Sequence, residues 1–243
     1  MKYFDVHAHL DFKDYDKDRD EVIKECARRE VGVINNGVNP ESNRKVLAIS
    51  DRKVIFPALG IYPLEALKMS DEDIKKEIEF IAKAKPVAIG EVGMDFYYCK
   101  DKDEQKLQRR NLGWFLELAE RLNVPIEIHS RGAEVETIEL LSSYNAKVIM
   151  HCYSGPRDNL PDYYFSIPVA ILNNSRFRKL VKKVSIDRLL TETDSPYLNP
   201  DKTRNVPWNV VKTIEKIAEL KKMDPEEVRV KILNNTVKLF KIQ

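Results

Sequence analysis

The sequence has few cysteines and no long hydrophobic run. Cys26, Cys99 and Cys152 stand far apart without a C-x-x-C spacing, which argues against a disulfide framework and against a zinc site built from thiolates. No apolar run approaches the ~20 residues needed to cross a bilayer, and the amino terminus lacks the basic and apolar regions of a signal peptide. These absences predict a cytoplasmic protein that does not bind membranes, and no segment suggests an obligate protein partner.

The sequence also lacks an excess of charge of either sign. Its 41 Lys and Arg residues against 39 Asp and Glu residues give a formal net charge of +2. This balance neither favours nor excludes nucleic acid as a ligand, because a nuclease needs only a local basic rim. Hydrophobic residues make up 43% of the chain, which excludes a disordered protein and is enough for a full-sized core.

Eight short apolar runs recur along the chain, and most of them are separated by charged stretches with helical spacing. The runs cover residues 3–9, 32–38, 54–61, 86–93, 125–130, 147–152, 165–172 and 188–195. Continuously apolar strands that alternate with helices indicate a parallel sheet covered by helices, and eight such units in about 250 residues is the size of a (β/α)8 TIM barrel. We therefore predict one α/β barrel domain over residues 1–243.

The helical pattern is clear in one segment between strands and weak in another. Residues 103–123 are predicted to form an amphipathic helix with an apolar stripe of Leu107, Leu112, Phe115, Leu118, Ala119 and Leu122. Residues 155–164, before the seventh strand, contain two prolines and little helical pattern. A doubly wound open sheet is the main alternative fold, but the glycine-rich phosphate fingerprint is missing after the first strand.

All four histidines lie in predicted strands or at their carboxyl ends. His7 and His9 lie on strand 1, His129 ends strand 5 and His151 ends strand 6. Side chains two residues apart in a strand point to the same face, so His7 and His9 can bind one ion together. A single histidine in a strand is more often a hydrogen-bonded core residue, so the inference depends on the whole set.

Two carboxylates complete this set. Glu91 ends strand 4 in "AIGEVG" and Asp194 ends strand 8 in "LLTETDS". A carboxylate in an apolar run is costly unless it is paired or binds a metal, although a single one often caps a helix. The carboxyl ends of all strands in a barrel meet at one mouth, so these six side chains are predicted to form one metal-binding cluster.

Five segments in the same order resemble the signature segments of the TatD family of metal-dependent deoxyribonucleases, within the amidohydrolase superfamily. They are "FDVHAHLD", "GEVGMDFYY", "IEIHSRGA", "IMHCYSG" and "LLTETDSPYLNP", and the similarity continues to the terminal "NNTVKLF". The resemblance implies a barrel of the metallo-dependent hydrolase type, DNA as the substrate and two divalent cations. It also implies the ligands: His7, His9, Glu91 and Asp194 for one cation, and His129, His151 and the bridging Glu91 for the other.

Such a pair of cations activates water for the hydrolysis of a phosphodiester. We therefore expect Glu91 and Asp194 to be catalytic, with Asp194 accepting the proton of the attacking water as well as binding metal. Imidazole and carboxylate ligands together suit Zn or Mn, and Mg binds histidine more weakly.

Substrate-binding residues are predicted around the same mouth. Arg131 and Arg204 are candidates for binding phosphate, as are Lys102 and Arg157. Tyr97, Tyr153 and Tyr197 are candidates for stacking on bases. For each of these residues the alternative is a solvated surface charge or a packing aromatic.

The sequence departs from the family pattern after strand 3, at Tyr62 and Leu64, and near its end, at Val206. Tyr62 in "GIYPLE" stands where the family usually has a histidine, and a tyrosine donates a hydrogen bond without carrying positive charge. Val206 in "RNVP" replaces a carboxylate. These departures leave two alternatives open: a hydrolase for a small amide, ester or lactone, and a non-catalytic binding protein.

Overall fold

The computed structural model describes residues 1–242. Its sheet has eight parallel strands in the order of the sequence, each paired with the next. They are β1 (Tyr3–Ala8), β2 (Val31–Asn36), β3 (Ile55–Leu59), β4 (Ala88–Gly93), β5 (Ile126–His129), β6 (Val148–Met150), β7 (Tyr164–Pro168) and β8 (Leu189–Glu192).

Backbone hydrogen bonds join the first strand to the chain that follows the last one. His9 N donates to Ser195 O at 2.8 Å, and Asp194 N donates to His7 O at 2.9 Å. Ala8 and Ser195 form a parallel bridge. The strands therefore form a nearly closed (β/α)8 barrel, which confirms the predicted fold and shows that the open-sheet alternative is wrong.

Helices connect the strands on the outside of the sheet. They are α1 (Arg19–Arg28), α2 (Pro40–Ile49), α3 (Pro63–Ala66), α4 (Asp71–Ala84), α5 (Lys102–Leu122), α6 (Glu134–Leu141), α7 (Ser175–Lys183), α8 (Val210–Lys221) and α9 (Pro225–Phe240). Short 3₁₀ turns lie at Lys13–Tyr15, Val169–Leu172, Ile186–Arg188 and Pro207–Asn209. No helix within residues 1–242 has the length and apolar character needed to span a membrane.

The core explains why the strands are apolar along their length. β2, β3 and β4 are buried at every position, as expected for a sheet that is covered on both faces. At the carboxyl terminus, Leu239 and Phe240 of α9 pack in one cluster with Phe4 and Phe56 of the sheet.

Two predictions about individual elements need correction. Strand 7 was expected to reach residue 172, but it ends at Pro168 and a 3₁₀ turn follows. Leu107 was expected on the buried stripe of α5 but is 40% exposed. Leu107 lies in the second turn of α5, whereas the buried apolar side chains of this helix begin at Leu112. As the prolines predicted, residues 151–163 contain no helix.

Candidate metal centre

The structure brings the six predicted ligands together at the carboxyl end of the barrel. They lie on or directly after five strands: His7 and His9 at β1, Glu91 on β4, His129 at the end of β5, His151 after β6 and Asp194 after β8. Ligand atoms of two overlapping triads lie within 4.8 Å of one another, namely His7, Glu91 and His151, and His7, His9 and Asp194.

The atoms predicted to hold the first cation face one another across a small gap. His7 Nε2 lies 3.5 Å from Glu91 Oε2 and 3.9 Å from Asp194 Oδ1. His9 Nε2 lies 3.6 Å and 3.5 Å from the same two oxygens. Ligands about 2.1 Å from one ion in tetrahedral geometry are roughly 3.4 Å apart, so these separations fit a cation.

One buried atom tests this fit independently. His7 Nε2 is fully buried and has no hydrogen-bond partner within the described residues. An unsatisfied buried nitrogen costs about 1 to 3 kcal/mol, so such atoms are rare in folded proteins. A metal ion bound to this lone pair would remove the cost, and the surrounding imidazoles and carboxylates are the donors that transition-metal ions prefer.

Hydrogen bonds to the other ring nitrogen orient three of the histidines. Nδ1 bonds an acceptor on another strand in each case: His7 with Glu127 Oε2 at 2.8 Å, His9 with Asn36 O at 2.9 Å and His151 with Glu192 Oε2 at 2.8 Å. A neutral imidazole that donates through Nδ1 keeps its lone pair on Nε2. These partners therefore select the tautomer that turns Nε2 towards the cluster.

His129 is oriented the opposite way. Its Nε2 lies 3.0 Å from Asp95 Oδ2, and its Nδ1 lies 2.9 Å from Glu91 Oε1. Tyr62 donates its hydroxyl to the same Asp95 oxygen at 2.8 Å. The second oxygen, Asp95 Oδ1, accepts the backbone N–H of Tyr98 at 2.9 Å. Asp95 thus fixes the ring of His129 and also holds the loop after β4.

The sequence analysis missed the carboxylates that support the ligands. Glu127 and Glu192 are fully buried strand residues, in "IEIH" and "LLTE", and Asp95 is fully buried after β4. The signal that identified Glu91, a carboxylate in an apolar run, also applies to Glu127 and Glu192. Asp95 follows a strand in a loop, so the pattern of apolar residues does not single it out.

The charges in the cluster shift the pKa values of its members. Burial and the nearby His151 act to lower the pKa of His7, but the carboxylates of Glu127 and Glu91 raise it to about 10. Burial opposes ionisation of Glu91, yet the bond with His129 and the nearby imidazole of His7 hold its pKa well below the usual range. The pKa of Asp194 is lowered in spite of burial, because His9 bonds to it and the other imidazoles are close.

A cavity of about 540 Å³ opens above the cluster. Tyr62 and Arg131, both predicted to bind substrate, line it together with Phe12, Tyr98 and Tyr197. Phe12 and Tyr98 were not among the predicted residues. Both are aromatic residues a few positions beyond a strand end, which is the signal that would have found them.

Other predicted substrate-binding residues are placed differently. Arg204 lies outside this cavity and binds Asp18 through two hydrogen bonds of 2.7 and 2.5 Å. Tyr153 is 2% exposed and donates its hydroxyl to Pro156 O. Lys102 begins α5 and bonds Gln105. The structure therefore brings Arg131 and Tyr62 to the site but not these three residues.

Comparison with known proteins agrees with this geometry. The family model described as TatD related DNase matches residues 4–241. The chain belongs to the TatD family. Among TatD relatives, an uncharacterized metal-dependent hydrolase of Methanocaldococcus jannaschii is 36% identical over 250 residues, covering 99% of this chain and 98% of the relative. Human deoxyribonuclease TATDN3 is 34% identical over 256 residues, with coverage of 97% and 93%.

Solved structures of the TatD family have the same fold. The crystal structure of YjjV, a TatD homologue from Escherichia coli K12, matches with a TM-score of 0.89 at 25% identity, covering 100% of this chain and 99% of that one. A TatD-family hydrolase from Entamoeba histolytica matches with a TM-score of 0.84 at 19% identity, covering 98% and 97%. The predicted family and barrel are confirmed, and the protein is a metal-dependent hydrolase of the TatD family.

Proposed function

We propose that this TatD-family hydrolase cleaves phosphodiester bonds in DNA and that it uses two divalent cations. The observation that carries the proposal is the meeting of four histidines and two carboxylates from five strands at the mouth of the barrel, where His129 joins the others through Glu91. The deoxyribonuclease name of the human relative, which is similar over nearly the whole chain, supports DNA as the substrate.

We assign one cation to His7, His9, Glu91 and Asp194, and the other to His129, His151 and Glu91. Cations bound there would polarise a phosphoryl oxygen and lower the pKa of a water molecule. Glu91 suits a shared position because its two oxygens face different histidines, Oε1 towards His129 and Oε2 towards His7. Imidazole-rich ligands favour Zn or Mn over Mg.

Asp194 is assigned the role of general base. Its side chain is 17% exposed whereas that of His7 is fully buried, so the carboxylate contacts both the cluster and the cavity. Because its pKa is lowered, Asp194 is ionised at neutral pH and accepts a proton from the attacking water. Arg131 lines the same cavity and supplies a positive charge for the phosphate.

The test uses protein stripped with a chelator and then loaded separately with Zn, Mn or Mg. End-labelled single-stranded DNA is expected to shorten only with loaded protein. Asp194→Asn is expected to keep its circular dichroism spectrum and to lose about 100-fold or more of its turnover, which is the usual contribution of a general base. Asp187→Asn changes the same residue type just before β8, at the opposite end of that strand, and serves as the matched control.

Two results would contradict the proposed nuclease, and a third would contradict its general base. Equal DNA cleavage by stripped and loaded protein would show that the activity does not belong to this cluster. Metal-dependent hydrolysis of an amide or lactone panel, without any cleavage of DNA, would favour the small-substrate alternative. Substantial turnover by Asp194→Asn would remove Asp194 as the base.

A further inference from the structure

Exposed aromatic side chains surround the cavity above the metal centre. Within residues 1–242 the exposed aromatics are Tyr97, Tyr98 and Tyr197, at 53%, 61% and 52% exposure. Tyr98 and Tyr197 line the cavity above the metal centre, and Tyr97 contacts Tyr98 with ring centroids 4.9 Å apart. Large apolar groups left exposed in a cluster indicate a binding surface.

One side of the cavity combines tyrosines with a cation. The guanidinium carbon of Arg131 lies 4.1 Å from the ring centre of Tyr97 and 4.8 Å from that of Tyr98. Arg131 also donates to the hydroxyl of Tyr98 at 3.3 Å. Within residues 1–242, Arg131 forms no ion pair with a carboxylate, whereas Arg204 is bound to Asp18. The charge of Arg131 is therefore available to an anionic ligand.

The other side of the cavity is a second aromatic pair. Phe12 and Tyr197 meet edge to face with ring centroids 6.2 Å apart. Phe12 in turn stacks on the ligand His9, with centroids 4.7 Å apart and ring planes within 14°. Tyr197 donates its backbone N–H to Asp194 O at 2.8 Å. This pair is thus fixed directly to two of the metal ligands.

The strand order places these two groups across the barrel from each other. Phe12 and Tyr197 follow β1 and β8, whereas Tyr98 and Arg131 follow β4 and β5. In a barrel of eight strands in sequence order, the β8–β1 edge lies opposite the β4–β5 edge. The metal-ligating side chains lie between the two groups.

We propose that these groups are two nucleotide subsites, one on each side of the phosphate that is cleaved. Tyr98 with Arg131 holds one base, and Phe12 with Tyr197 holds the other. The assignment rests on the proposed function and adds which residues select the substrate. Aromatic rings stack on any base, and Arg131 binds the adjoining phosphate. Because the subsites face each other across the cavity, the two bases must separate, so a stacked duplex does not fit.

The test is a double-mutant cycle that combines the loss of one aromatic ring from the protein with the loss of one base from the DNA. Tyr98→Ala and Tyr197→Ala are made in the full-length, Mn-loaded Asp194→Asn protein, in which slow cleavage allows binding to be measured by fluorescence anisotropy. The probes are a single-stranded oligodeoxynucleotide and versions of it with one abasic residue at successive positions. Rates of cleavage are measured in parallel with the same changes in the otherwise unaltered protein.

Each alanine variant is expected to bind the intact probe about 5- to 150-fold more weakly, the effect of losing one stacked base. The substitution should not weaken binding further when the probe already lacks the base held by that ring. The abasic position at which the effect of the substitution vanishes should differ between the two variants. Tyr98→Phe keeps the ring and should rescue binding. Tyr164→Ala is the matched control, since Tyr164 also packs against an arginine, Arg188, but begins β7 at the other end of the barrel.

The possible outcomes separate this inference from the proposed function. Unchanged affinity in both alanine variants, or losses that persist with every abasic probe, would overturn the two subsites even if DNA is cleaved. Position-specific losses without cleavage by the unaltered protein would support the subsites and contradict the nuclease. A protein that neither binds nor cleaves DNA overturns both.

Discussion

At the residue scale, the site depends on which nitrogen of each histidine faces the cluster. Three rings present Nε2 and one, His129, presents Nδ1, and a hydrogen bond to the other nitrogen fixes each choice. The sequence predicted which six side chains meet at the mouth of the barrel, because spacing and polarity reveal them. It did not reveal two of their supporting partners, because Asn36 acts through its backbone carbonyl and Asp95 is an ordinary loop residue in the sequence.

Asp95→Asn tests the support of His129. The amide lacks the negative charge that accepts from His129 Nε2, so the tautomer with a lone pair on Nδ1 is no longer favoured. We expect the affinity for metal to fall about 10- to 100-fold, which is typical for loss of such a partner. Isothermal titration of the stripped protein with Zn or Mn measures the change.

Tyr62→Phe is the matched control for this substitution. It removes a hydroxyl that donates to Asp95 at 2.8 Å but leaves the carboxylate beside His129. Its effect on metal affinity should be much smaller than that of Asp95→Asn. Equal losses in the two variants would show that burial of the network, and not the charge of Asp95, supports the ligand.

At the element scale, the alternation of strands and helices was predictable because a parallel sheet buried on both faces requires apolar strands. The ends of elements were less predictable. β7 stops at Pro168, which lies inside an apolar run, and Leu107 faces solvent although it is apolar. In both places the apolar pattern of the sequence is longer than the strand or the buried helix face that it predicts.

The turn before β3 provides a stability prediction for a single carboxylate. Asp51 Oδ1 accepts the backbone N–H groups of Lys53, Val54 and Ile55 at 2.8 to 2.9 Å. Burial opposes ionisation, but these bonds lower the pKa of Asp51. We expect Asp51→Ala to reduce the free energy of unfolding by about 1 to 2 kcal/mol at pH 7.

The pH dependence of this effect has a definite sign. Because the pKa of Asp51 is lower in the folded state, its stabilisation is present above its ordinary pKa of 3.8 and is lost as the pH falls through the folded value. Urea unfolding at pH 7 and near pH 3 should show the difference between wild type and Asp51→Ala shrinking in acid. Asp51→Asn retains an acceptor oxygen and should lose less. The same difference at both pH values would disprove a role for the charge.

At the scale of the whole molecule, the barrel makes the site possible by bringing together residues that are up to 187 positions apart, such as His7 and Asp194. The sequence predicted this convergence because the fold, once recognised, dictates where strand ends meet. It did not predict that Arg204 is bound to Asp18 and lies away from the cavity, because an ion pair formed across the chain leaves no local pattern.

Metal binding should stabilise the entire barrel. A cation at 100 times its dissociation constant raises the free energy of unfolding by about 2.7 kcal/mol, provided it binds only the folded chain. Thermal melts are therefore expected to shift down after chelation and to recover with Zn or Mn. Identical melting temperatures for stripped and loaded protein would contradict a structural link between the ion and the fold.

The same stabilisation should depend on pH. In the metal-free protein the pKa of His7 is raised to about 10, so a proton must leave this ring before a cation binds at neutral pH. Titrations in buffers of different ionisation enthalpy should reveal this release, and the metal-induced rise in melting temperature should shrink between pH 7 and pH 5. A binding enthalpy that is independent of the buffer would exclude the release.

The two oxygens of Asp95 connect the orientation of His129 with the position of the loop at the rim of the cavity. One oxygen orients His129, and the other holds the backbone of Tyr98 at the rim of the cavity. Grafting a different 95–98 loop to change which molecules enter would therefore also alter how firmly the ion is retained. A change in this loop is therefore expected to affect access to the cavity and metal affinity together.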